Sequence, residues 1–479
     1  MVRRSTGRRR VAGGLGTLAL LASTVAVATN VGPSGAAFPG RNGRLFCTVF
    51  VPLPNPPPLP ARQNQGEVFS MNPDGSDRRL LTNNLLDDLE PTPSPDGTRI
   101  AFTSARSGDQ EIWMMYQDGS GLRQLTFAPG EDRPGTFSPD GTRIAFHSGR
   151  FPNAGPGAGH STFEIMVMNA DGTNQQRMTA NNFQDSLAAW SPDGSRIAFT
   201  SNRTTPPGTP QLQLSNFFDV YTLVPVDANN DGNADVQTQI TNTLGEDAHP
   251  HWSPDGRQMT FHSRRDFLPQ PTNLQLEIYR MNADGSNPVR LTGPDNVFDV
   301  FPVWSPDGTR IAWPREFPSD VYTMNATDGS GRVNITNTPT PLDETRCDWG
   351  RLLPCTITGS GQIVGTEGDD VICGSSGQDF IAALGGNDVI YPGGGNDDVA
   401  AGEGNDIVFG DQGNDRIVGA GGNDTLFGDQ GSDQISAGPG NDIASGSEGS
   451  DQVVGGRDVD ECYGEAREAC ESGGTGALQ

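Results

Sequence analysis

From Gly365 the chain repeats every nine residues, opening Gly-Thr-Glu-Gly-Asp-Asp-Val-Ile-Cys and continuing for eleven copies. A unit this short cannot bury a face of its own, so the copies must stack on one another into a solenoid. The sixth place is Asp throughout: Asp370, Asp379, Asp388, Asp397, Asp406, Asp415, Asp424, Asp433, Asp442, Asp451 and Asp460. The eighth place runs from Ile372 through Val399, Ile417 and Val453 to Cys462, and Gly holds the fourth place in every copy but the last, where Asp458 stands. The Gly-rich part reads as a turn, and the residues after it as a short strand with the eighth-place side chain inward. With two units to a coil, residues 18 apart stack at strand spacing, ~4.8 Å.

That stacking puts Asp370 over Asp388, Asp379 over Asp397, and so on to Asp442 over Asp460, nine pairs in all. Carboxylates so close repel one another unless a cation lies between them. Residues 356–479 carry 23 acids against three Arg, so −20 of the chain's formal charge of −27 falls there. Folding of this tract is therefore expected to need cations, and disorder is expected without them. The acidity also argues against nucleic acid as a partner. All 32 cationic side chains are Arg, which removes Schiff-base and P-loop lysine chemistry.

The nonapeptide resembles the RTX, or haemolysin-type, calcium-binding repeat. The resemblance implies a parallel β-roll over 365–463, with turn carbonyls completing the ligand sets of up to about nine Ca2+ ions. Cys355 and Cys373 lie 18 apart and are expected to be bonded as stacked neighbours, leaving Cys462 with Cys470.

A second repeat fills residues 38–350. Ser-Pro-Asp-Gly recurs at Ser94, Ser138, Ser191, Ser253 and Ser305, followed by a short alternating strand such as Arg143-Ile-Ala-Phe146. An acid then leads a second strand (Glu67, Glu111, Glu164, Asp219, Glu277, Asp320), and another Asp-Gly turn precedes a last strand ending in Leu-Thr. Pro in the second place and Gly in the fourth suit a tight turn, so each unit is four short antiparallel strands, the size of a propeller blade. The Ser-Pro-Asp-Gly and Met-Asn-x-Asp-Gly turns resemble those of the TolB-like propeller family, and six blades are expected. The first unit lacks its innermost strand, and Cys347-Asp348-Trp349 aligns with the missing piece, which predicts ring closure with a Cys47–Cys347 disulfide.

Five residues before each aligned aromatic or Pro stands an acid: Asp88, Asp132, Asp185, Asp247, Asp299 and Glu344. These six either line the mouth of the channel as a cation site or cap their own loops on backbone N–H groups. His249 and His251 flank this ring as zinc ligands or as blade-facing imidazoles. Arg106, Arg150, Arg203 and Arg265 are expected to pair with the strand-leading acids. The fourth blade carries Asp227-Ala-Asn229-Asn-Asp231-Gly-Asn-Ala-Asp235 in place of its second turn. Asp227, Asn229, Asp231 and Asp235 suit one further calcium ion, the other reading being an Asn/Asp-rich turn. Thr238 stands where an EF-hand needs its bidentate acid.

Five arginines, an apolar run over 11–28 and small-residue sites before residues 29 and 38 read as a secretory signal. The expected division is a signal peptide at 1–37, a propeller at 38–350, a linker or first coil at 351–364, the roll at 365–463 and a tail at 464–479. The whole is all-β, exported, calcium-loaded, and without stable membrane insertion. No Gly-x-Ser-x-Gly, HExxH or phosphate loop occurs. The propeller is accordingly expected to bind a protein or glycan; the alternative is an extracellular hydrolase or lyase at the acidic mouth.

Overall fold

A computed structural model describes residues 41–468 except 53–63, 152–162, 204–217, 230, 244, 268–274, 294, 296, 317–318, 338–342 and 465. The expected signal peptide, its cleavage sites and Cys470 lie outside the described residues. Among the described residues no helix is long and apolar enough to cross a membrane.

Six antiparallel sheets follow one another, each built from the repeat unit, and they form the six blades of a propeller. Each Ser-Pro-Asp-Gly turn is locked by its own side chains. In the third blade the Gly141 N–H donates to the Ser138 carbonyl at 2.8 Å and Gly141 has φ +67°, while the Ser138 hydroxyl donates to Asp140 at 2.6 Å. The strand after the turn buries large side chains, Phe102, Phe146, Phe199, Phe261 and Trp313 among them, between neighbouring blades.

The first blade closes as expected. Asp343–Leu352 pairs with Arg41–Pro52, which pairs with Asn64–Met71 and then Arg79–Leu80. Cys47 stands opposite Cys347, and the two form a disulfide.

A second finding corrects the expected ion pairs. The strand-leading acids do not meet Arg106, Arg150, Arg203 and Arg265; those four pair with Asp88, Asp132, Asp185 and Asp247 of the inner ring. The strand-leading acids instead accept the hydroxyl of the Leu-Thr threonine, as Thr82 with Glu67 and Thr179 with Glu164, both at 2.6 Å. Each such threonine also accepts the next strand N–H, as from Ile165 at 2.9 Å, tying the outer strand to the third. Strand-to-strand distance, not distance along the chain, decides the partner: 18 residues on from Asp88, the hairpin returns Arg106 beside it.

The roll consists of two seven-stranded parallel sheets whose partners are 18 residues apart, for instance Ile372 opposite Ile390 and Ile381 opposite Val399. Its coils begin before Gly365, at Ile357–Thr358 and Gln362–Val364. Eighth-place side chains from Ile372 to Cys462 form a single buried core. Cys355 and Cys373 are bonded, and Cys462 is also in a disulfide.

Alternate ninth places form an outer rail: the Tyr391 and Phe409 rings stack at 5.2 Å, and Phe409 and Phe427 at 5.6 Å. The rail packs on Tyr116, Leu352 and Leu353, so the roll lies along the Asp-Gly turns of the first two blades. Gln430 donates to Asp77 at 2.6 Å and Ser447 to Asp118 at 3.0 Å across this seam. The opposite face of the propeller therefore holds the other set of blade connections, such as 105–110 and 127–131.

Candidate calcium-binding rows

The sixth-place aspartates form two buried rows, one along each edge of the roll. Their geometry follows from the turn before them. From the third repeat on, the second and fourth places are left-handed, from Leu384 (φ +82°) and Gly386 (φ +116°) to Gly456 (φ +129°) and Asp458 (φ +82°). At the fourth place of the third to tenth repeats a Cβ would collide with the coil before it. A Cβ on Gly413 would stand 1.4 Å from the Gly395 carbonyl oxygen, and on Gly431 1.5 Å from that of Gly413. The turns of one row thus stack backbone on backbone, with carbonyl oxygens along the row.

Each aspartate is held by the coil before it. The N–H of Asp388 donates to Asp406 Oδ1 at 2.8 Å, and the same bond recurs from Asp370 to Asp388 through to Asp442 and Asp460. Oδ1 is thereby satisfied. The Oδ2 atoms of Asp388, Asp397, Asp406, Asp415, Asp424, Asp433, Asp442 and Asp460 are buried without a hydrogen-bond partner. A buried, unpartnered carboxylate oxygen costs several kcal/mol, on the order of the values for unpaired buried charge, unless it is neutralised or ligated.

The electrostatics agree. Burial pushes Asp388 up to about 6, with the charges of stacked Asp406 and Asp370 adding to it. Burial likewise pushes Asp415, Asp424 and Asp433 up to about 7, and raises Asp397, Asp406 and Asp442. Hard oxygen donors, two stacked carboxylates and carbonyls lining a turn fit calcium, and fit poorly any metal that selects nitrogen or sulfur.

The other expected sites differ. In the 227–235 loop the side-chain oxygens turn onto the loop's own backbone: Asp227 accepts from Asp231 at 3.2 Å and Gly232 at 2.8 Å, Asn229 from Asp231 at 3.0 Å, Asp231 from Asn233 at 2.8 Å and Asp235 from Ala228 at 3.1 Å. Among the described residues no group of three or more His, Cys, Asp or Glu side chains gathers to hold a metal. His249 packs instead against Phe301, ring centres 4.3 Å apart, and His251 Nδ1 accepts the Trp304 N–H at 3.2 Å. Burial holds His249 well below the usual imidazole range.

The six ring acids are buried, from 0% exposed at Asp88 to 2% at Glu344, and bonded to side chains in place of the expected backbone N–H groups. Asp247, for example, accepts from Ser263 at 2.6 Å and Arg265 at 2.8 Å, and Asp299 from Trp313 Nε1 at 2.8 Å.

Two residues beyond those acids lies a feature the sequence reading did not find. Glu90, Leu187, His249, Phe301 and Arg346 are all left-handed, with φ between +47° and +62°, where the innermost strand of each blade bulges. In the third blade Pro134 occupies this place. Arg346 and Arg133 both reach Glu90 across the bulges. No glycine marks these positions; only their fixed offset from the ring acids could have shown them.

Comparison with known proteins matches the RTX calcium-binding nonapeptide repeat family at residues 364–399, 391–426, 400–435 and 427–462. An uncharacterized protein of Agrobacterium fabrum is 30% identical over 165 residues, 33% of this chain and 48% of that protein. The Tol-Pal system protein TolB of Bordetella pertussis is 29% identical over 154 residues, 26% of this chain and 34% of its own. This chain thus spans about half or less of the length of these relatives. The crystal structure of TolB from Acinetobacter baumannii superposes with a TM-score of 0.49 at 20% identity, covering 66% of this chain and 68% of the other. The protein is an all-β chain in which a six-bladed propeller carries a parallel roll. The propeller is TolB-like, and the roll is built of RTX calcium-binding repeats.

Proposed function

We propose that this is a calcium-dependent protein of an oxidising compartment outside the cytoplasm, in which calcium folds the roll and the propeller offers a binding surface for a protein or glycan. The observation that carries the calcium reading is the run of buried, unpartnered Oδ2 atoms between stacked coils. A chain that buries them without cations meets the repulsion of its own rows; with calcium they become ligands. Two disulfides among the described residues, with Cys462 in another, support the oxidising compartment.

For the propeller, the binding reading is favoured over hydrolysis or lysis at an acidic mouth. Four of the six ring acids that suggested catalysis are buried in ion pairs with Arg106, Arg150, Arg203 and Arg265, and all six are at most 2% exposed, so a substrate meets none of them at the surface. The blade loops on the face away from the roll are where a ligand would meet the propeller. Calcium titration of the chelated full chain, followed by far-UV circular dichroism and calorimetry, tests the reading. A cooperative gain of β structure with multi-site calcium uptake is expected, and no uptake refutes it.

A further inference from the structure

The first two repeats differ from the other nine in one respect that bears on every site. Thr366 and Ser375, their second-place residues, keep ordinary backbone conformations, as do Gly368 and Gly377 at the fourth place, whereas all later second and fourth places are left-handed. In this tighter turn the hydroxyl folds back onto the row. Asp370 Oδ2 accepts the Thr366 N–H and hydroxyl, each at 2.8 Å, and Asp379 Oδ2 accepts the Ser375 N–H at 2.6 Å and hydroxyl at 2.9 Å. The remaining oxygens are also taken: Asp370 Oδ1 by the Thr356 hydroxyl at 3.3 Å, and Asp379 Oδ1 by the Gly361 N–H.

We infer that repeats one and two form a calcium-free end cap, in which two hydroxyls and two turn N–H groups occupy the places that ions take further along. The inference rests on the calcium reading of the later repeats. Solenoids need an end that does not depend on a further neighbour. Here the Cys355–Cys373 disulfide bolts the first coil to the second, and the hydroxyls and turn N–H groups satisfy the Asp370 and Asp379 carboxylates by hydrogen bonds, without a cation. A site needs two turns of the left-handed kind, one above the other. Such pairs run from Asp388–Asp406 to Asp442–Asp460, which gives seven sites where aspartate spacing alone gives nine.

Calcium bound per chain, measured on the full-length protein by equilibrium dialysis and elemental analysis, tests this. Seven ions in the unaltered chain, unchanged in Asp370→Asn and Asp379→Asn but reduced in Asp415→Asn, are expected. Nine ions, or fewer ions in either of the first two variants with circular dichroism unchanged, overturn the cap. The double variant Thr366→Gly/Ser375→Gly gives those turns the residue that Gly393 and Gly402 supply further on, and a gain of one or two ions is expected. No gain there means that the hydroxyls are not what excludes the ion, and overturns their assignment. No calcium in the unaltered chain is a different failure, that of the calcium reading itself.

Discussion

Cys47 and Cys347 face each other across the two strands that close the first blade, and their disulfide joins residues 300 apart in the chain. The inner strand of that blade comes from the end of the propeller sequence and the other three from its beginning, so without the bond the ring is held shut only by strand pairing and packing. In the chain-entropy picture, cross-linking so long a loop stabilises by about 5–6 kcal/mol. The Cys47→Ser/Cys347→Ser variant is expected to lose that much in urea unfolding at saturating calcium, followed by tryptophan fluorescence. An unchanged midpoint removes the clasp from the stability of the ring.

This closure was legible because the turn motif fixes a register: once Trp349 aligns with Trp190, the two cysteines fall opposite each other. The roll was legible for the same reason, a period that places Asp over Asp. What could not be read was side-chain choice between two partners of the right sign. Arg106 has Glu111 close in sequence and Asp88 across the hairpin, and the hairpin places it on Asp88. The bulged positions from Glu90 to Arg346 were also hidden, because side chains of unrelated kinds, and no glycine, stand at their left-handed backbone. The end cap was missed because Thr366 and Ser375 leave the aspartate spacing intact.

Two fourth-place glycines separate the kinds of turn. A Cβ on Gly377 meets nothing within 4 Å, while on Gly413 it meets the Gly395 carbonyl at 1.4 Å on a backbone at φ +144°. Gly377→Ala is expected to leave calcium-induced folding within about 0.5 kcal/mol of the unaltered chain. Gly413→Ala must push two coils apart, and a loss of roughly 4 kcal/mol or more is expected, with the coils on either side decoupled. Calcium-dependent melting of both variants checks this; equal melting temperatures contradict the stacked-turn geometry.

The seam between roll and propeller turns on Tyr116, whose ring lies 6.0 Å from both Phe427 and Tyr463. Because the rail exists only when the coils are stacked, calcium bound by the roll is expected to raise the melting temperature of the propeller, which contains all six tryptophans. Tyr116→Ala removes roughly 2–3 kcal/mol of docking. In that variant the calcium-dependent shift in tryptophan fluorescence melting should shrink towards zero while calcium uptake persists. A full shift in the variant shows that docking does not pass through this contact.

Acid and calcium should act on the rows as substitutes for each other. Burial pushes Asp388 up to about 6 and Asp415, Asp424 and Asp433 up to about 7 in the folded, metal-free chain, whereas an unfolded Asp titrates near 3.9. The folded roll therefore binds more protons than the unfolded chain over this range. The favourable term is fully present below pH ~4 and is lost as pH rises through about 6 to 7. Calcium reverses the slope, since its ligands must be deprotonated. Glu111, Glu164 and Glu277 in the propeller are also pushed up by burial, to about 7, so the readout must be local to the roll. Hydrogen exchange of roll peptides in chelator should show more protection at pH 5 than at pH 8 once intrinsic rates are corrected, and in saturating calcium the order should invert. Greater protection at pH 8 in chelator would mean that the rows are not held together by protons when the metal is gone.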